Sequence, residues 1–177
     1  MPGVEQPEEE QRERALGELG MEGKKGNMSP RRMARVRAVQ FLYQWGLRRE
    51  PPSRKSLEDF WALSPAGGSA CRFAEELILG TIEHVASLDE RIEHYLENWQ
   101  IERLAAVDRS ILRVALYELF YRVEIPPVVS VNEAVEVAKK LSSEESGRFV
   151  NGVLDRALHD VNRPLRAVSG AAGEEVA

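Results

Sequence analysis

DRSILRVALYELFYRV, residues 108–123, is the stretch that decides the fold. Leu112, Ala115, Leu116, Leu119, Phe120 and Val123 recur at the three-and-four spacing that lines one side of an α-helix, while Arg109, Arg113 and Glu118 keep to the other. The pattern predicts an amphipathic helix with a wide apolar face. Asp108 is placed to cap its free N–H groups. Pro126 and Pro127 are placed to end it, because proline supplies no N–H and biases the preceding residue away from the helical region. Burying each larger side chain contributes roughly 1.5–3 kcal/mol, which puts this helix at the centre of a domain.

Downstream, Ser130, Val131, Asn132 and Glu133 have the form of a capping box and open a predicted helix with Ala134, Val137, Ala138 and Leu141 inward. Ser142 to Glu145 open the last helix, whose Phe149, Val150, Val153, Leu154, Ala157, Leu158 and Val161 keep the same period, and Asn162, Arg163 and Pro164 end it. Upstream, Phe73, Leu77, Ile78, Ile82 and Val85 are followed by a further capping box at Ser87 to Glu90, where a break is expected, and the stripe continues through Leu88, Ile92, Tyr95, Leu96 and Trp99. Before the loop at 65–69, a short helix over 53–63 is predicted to turn Leu57, Phe60 and Trp61 inward. The first helix spans 31–48 behind Ser29 and Pro30; its arginine-rich start is expected to be exposed and its apolar end buried. No segment alternates with period two, so the protein is read as all-α, a compact bundle of about six or seven helices.

The 177 residues suit one domain or two small helical subdomains sharing a core. The expected divisions are an acidic, disordered extension over 1–27, helical subdomains over 28–86 and 87–163, and a flexible tail over 164–177. Apolar content of 43% with 30% charged residues describes a soluble protein, and the single Cys71 excludes an intrachain disulfide framework. No apolar run reaches the roughly 18 residues of a membrane span, so the expected location is the cytoplasm.

His84, His94 and His159 are too scattered for a metal site; no glycine-rich phosphate loop or nucleophile elbow is present, and no cofactor is expected. Gly147 and Gly152 interrupt a helical pattern at a cost of roughly 1 kcal/mol each, so each is expected to admit a close neighbour, with helix packing favoured for Gly152. Net charge is −5, but residues 31–49 carry six arginines and no acid. Arg31 and Arg35 stand one helical turn apart with Arg32 about 100° around, an arrangement able to straddle a phosphate backbone; a solvated basic helix end has the same composition. Tyr43 and Phe149 offer faces for stacking bases, or core.

The runs DRSILRVALYEL (108–119), VNEAVEVAK (131–139) and RFVNGVLDR (148–156), with RRMARVRAVQFLYQW (31–45), together resemble the bacterial NusB transcription antitermination family. The resemblance covers residues 30–158. It implies an all-α protein of two helical subdomains without enzymatic activity, which binds boxA RNA together with the ribosomal protein NusE and helps RNA polymerase, with other Nus factors, to read through terminators in ribosomal RNA operons. It also implies Arg31, Arg32, Arg35, Arg148 and Phe149 as RNA contacts, and Glu102, Asp108 and Glu145 on the partner side. Met33 departs from a position often basic in the family, and Glu145 from a familiar aspartate. Two rivals are a domain of the kind found at the front of ribosomal RNA cytosine methyltransferases, for which a cofactor loop is lacking, and a helical interaction module without RNA binding.

Overall fold

The computed structural model describes residues 28–48, 50–97 and 99–167; the expectations for 1–27 and for the tail beyond 167 lie outside these. The elements are α1 (Pro30–Arg48), α2 (Arg54–Leu63), α3 (Gly68–Glu83), α4 (Val85–Leu96), a 3-10 turn (Ile101–Arg103), α5 (Ala106–Tyr121), α6 (Pro127–Leu141) and α7 (Glu144–Leu158). No strand occurs among the described residues. The expected all-α fold is found.

Helix α5 packs against α1, α3, α4, α6 and α7, so the stretch that decides the fold also lies at its centre. Ile111, Leu112, Ala115, Leu116 and Leu119 are almost wholly buried. Its ends differ from expectation. The N-cap is Ala105, without a side-chain hydrogen bond; Asp108 lies within the first turn and accepts instead from the Ser146 hydroxyl at the start of α7. The C-terminus falls at Tyr121, and Pro126 and Pro127 begin α6 rather than end α5, because proline at a first helical position forfeits only an N–H that has no intrahelical acceptor. Carbonyls at the end of α5 and in the turn that follows it are collected by Arg163. Its Nη1 donates to Ile125 at 2.7 Å and Val123 at 3.0 Å, and its Nη2 to Leu119 at 3.1 Å and Arg122 at 3.3 Å. A guanidinium there satisfies orphan acceptors and complements the negative end of the helix dipole.

Ser130 is likewise not a cap. It lies inside α6, and its hydroxyl donates to the buried carboxylate of Glu118 at 2.7 Å. Ser143 does cap α7, accepting from the Ser146 N–H at 3.1 Å. The break between α3 and α4 falls at His84, three residues before Ser87. There the His84 ring sits 4.0 Å from that of Tyr121, whose hydroxyl is 3.1 Å from Ser87 Oγ.

Periodicity carried beyond a helix end misleads: Val123 and Trp99, past the ends of α5 and α4, are 72% and 53% exposed. In α1 the buried part is the middle, from Ala34 to Leu42, and both ends are exposed, Leu47 included. Phe60 of α2 is buried edge-on against Phe41 of α1, with Leu57 and Trp61 half-buried.

The glycines exchange roles. A Cβ on Gly152 meets nothing, whereas one on Gly147 would stand 2.9 Å from Lys139 Cγ, and one on Gly80 would overlap the Tyr117 ring. Gly80→Ala is therefore expected to destabilise by about 1–3 kcal/mol through overpacking. Gly152→Ala should stabilise by up to about 1 kcal/mol through helix propensity. Thermal denaturation of the two variants reads these opposite signs.

Candidate nucleic-acid and partner interface

The arginines of α1 do not form one equivalent row. Successive helical residues point about 100° apart, so a helix wedged between α3, α5 and α6 sends them to different neighbours. Arg31 is exposed and lays its guanidinium over the Phe73 ring of α3, 4.1 Å from the centroid. Arg32 turns to α6 and binds Glu133 through both ends of its fork, Nε at 3.0 Å and Nη2 at 2.9 Å. Its side chain remains 37% exposed. The hydrogen bond from Arg32 holds the Glu133 carboxyl below the usual carboxylate range, and Glu133 in turn raises the Arg32 guanidinium.

Arg35 points inward. It is 5% exposed and grips Glu118 of α5 with two hydrogen bonds of 2.7 and 2.9 Å, while Ser130 supplies a third donor to the same carboxylate. The expected RNA contact at Arg35 is therefore placed where protein encloses the fork, and a phosphate would reach it only by displacing a buried carboxylate. Arg37 is half-buried, donates to Gln40 at 3.0 Å, and has its affinity for a proton lowered by burial.

A second group gathers at the starts of α5 and α7. The Asp108–Ser146 hydrogen bond ties these two helix ends together, and it sets Asp108, half-buried, beside the turn that carries Glu145. Glu145 and Arg148 are exposed, Phe149 is half-buried, and Glu102 is exposed in the 3-10 turn. Tyr43 is half-buried on α1. Helix α6 separates the two groups: Glu133 faces α1, whereas the Val135 carbonyl lies 3.5 Å from where a Gly147 Cβ would be.

Glu118 and Glu133 are the functional neighbours that the sequence reading missed. A signal for Glu118 existed, since it lies four and seven residues beyond Val114 and Ile111, both buried. That spacing marks a carboxylate aimed into the core, where it needs a cation.

Among the described residues no helix is long and apolar enough to cross a membrane, and no cluster of three or more metal-binding side chains occurs. The described residues form an all-helical protein that exposes arginines and carboxylates at helix starts, with the Phe149 ring half-buried beside them. The NusB family model matches residues 32–159. The transcription antitermination protein NusB of Methylacidiphilum infernorum (isolate V4) is 46% identical over 136 residues, covering 77% of this chain and 95% of that protein. Of solved structures, T. maritima NusB is 36% identical with a TM-score of 0.65, covering 75% of this chain and 92% of that one. A NusB crystallised with NusE and double-stranded RNA is 30% identical with a TM-score of 0.67, covering 75% and 98%. This chain belongs to the NusB family.

Proposed function

We propose that this protein is a transcription antitermination factor of the cytoplasm that binds boxA-type single-stranded RNA jointly with NusE, acting as a platform for the elongation complex rather than as a catalyst. The observation that carries the reading is the division of labour in α1, where Arg35 is consumed by the fold while Arg31 and the outer part of Arg32 stay open at the helix start. Exposed guanidinium forks suit phosphate oxygens, and Phe149 beside Arg148 offers a stacking face for an unpaired base. The relative solved with NusE and RNA supports the pairing of the two ligands. Glu102, Asp108 and Glu145 form the acidic side on which a basic partner docks, adjacent to Arg148.

The test is a titration of boxA-like RNA over a range of salt, with and without saturating NusE. Replacing Arg31 and Arg32 together with alanine should weaken binding and reduce the log–log salt slope by about 1.4, at about 0.7 per phosphate on a single strand. NusE should strengthen RNA binding, with a coupling of roughly 1–3 kcal/mol that RNA must return to NusE. Asp108→Asn keeps an acceptor for Ser146 but removes the charge, so it should reduce the enhancement and leave binding of RNA alone intact. Full enhancement in that variant would move the NusE surface elsewhere, and an unchanged slope in the arginine variant would move the RNA surface.

A further inference from the structure

The start of α1, the first turns of α3 and the end of α5 enclose an open groove of about 360 Å³, lined by Arg31, Arg72, Phe73, Glu76 and Arg122 among others. Its charges are three guanidinium groups against one carboxylate. Arg122 is engaged, by Glu76 at 2.8 Å and Glu124 at 2.6 Å. Arg31 and Arg72 are exposed and have no salt-bridge partner among the described residues, unlike Arg32, Arg35 and Arg113. The groove thus presents at its rim two forks that no salt bridge ties down, with Glu124 near enough to Arg31 to feel its charge.

Its wall is preorganised. Phe73 is 5% exposed, and the guanidinium groups of Arg31 and Arg122 lie 4.1 and 5.4 Å from its centroid, so stacking on a fixed ring limits the freedom of both side chains. A planar cation held in this way donates from its edge to phosphate oxygens and offers its outer face to a base. The volume falls within the range of small-ligand sites and suits one nucleotide rather than a duplex. Arg31 belongs both to this groove and to the exposed start of α1, so a strand lying on α1 can continue into it.

We propose that this groove binds a nucleotide of single-stranded RNA, with backbone phosphates paired to Arg31 and Arg72, extending the RNA path from α1 onto α3. The proposal rests on the RNA-binding reading above, and Arg72 distinguishes the two because it lies only in the groove. The experiment uses the full chain and two probes, a boxA-like RNA and the same RNA lengthened by several uridines at either end. Wild type should bind the longer RNA more tightly. Arg72→Ala should lose that gain and lower the salt slope by about 0.7, a loss on the order of fivefold at about 0.1 M salt. Arg54→Ala removes an equal charge from the exposed face of α2, where Arg54 pairs with Glu58, and should change neither quantity. If Arg72→Ala binds both RNAs as wild type does while the Arg31 and Arg32 double variant is weakened, the groove proposal is overturned and the RNA reading stands. A loss confined to NusE binding would assign the groove to a peptide and overturn it equally, and a wild type that binds neither RNA would remove both.

Discussion

Arg35→Ala is expected to destabilise the protein by about 3–5 kcal/mol, the loss that follows when one partner of a buried ion pair is removed and the other is left uncompensated. The Glu118 side chain is 2% exposed, so water cannot replace the missing fork, and the single hydroxyl of Ser130 would remain as its donor. The pair itself is a different matter. Because desolvating two charges offsets most of their attraction, Arg35→Met combined with Glu118→Leu should recover most of the loss. Chemical denaturation of the three proteins measures this. The double variant also separates folding from recognition: with Arg31 and Arg32 intact it should bind RNA as wild type does. An Arg35→Ala protein of normal stability but weakened RNA binding would return Arg35 to the RNA surface and refute the buried-pair reading.

Leu116→Ala should cost about 2–5 kcal/mol, since Leu116 is wholly buried in the helix that touches five others and the truncation leaves a cavity that its neighbours fill only in part. Arg113→Ala on the same helix is expected to cost about 1.5–3 kcal/mol, not the near-zero value proper to an outward-facing polar residue. Arg113 holds Asp89 of α4 through two hydrogen bonds of 2.7 Å, and its side chain is 11% exposed. Denaturant midpoints at an unchanged slope test both values. A neutral Arg113→Ala would mean that α4 is not held to α5 by this pair.

The two pairs show where sequence reading succeeds and where it stops. Local periodicity along 108–123 was enough to find α5, to name Leu112, Leu116 and Leu119 as core, and to place the helix centrally, because apolar burial is non-directional and is written in spacing alone. The same spacing assigned Arg113 and Glu118 to a solvated face. A helix surrounded by five others has little solvated face, so its polar residues must meet ionic partners from elements distant in sequence: Arg35 from 83 residues away, Asp89 from 24.

The candidate site follows the same division. Four runs of sequence carried the family and named Arg31, Arg32 and Arg35 together, because on an isolated helix they are one basic cluster. Only tertiary packing separated them, sending Arg31 to Phe73, Arg32 to Glu133 and Arg35 to Glu118. Both capping boxes read from the sequence, at Ser87 and Ser130, fall inside helices that begin earlier, at Val85 and Pro127, and the Ser130 hydroxyl donates to the Glu118 carboxylate instead of accepting from a helix start. Sequence by itself determined the helices, most of the apolar core and the family of this protein, since these depend on near neighbours along the chain. Tertiary structure decided which charges remain open to a ligand, because that depends on whether a carboxylate from another helix reaches each arginine first.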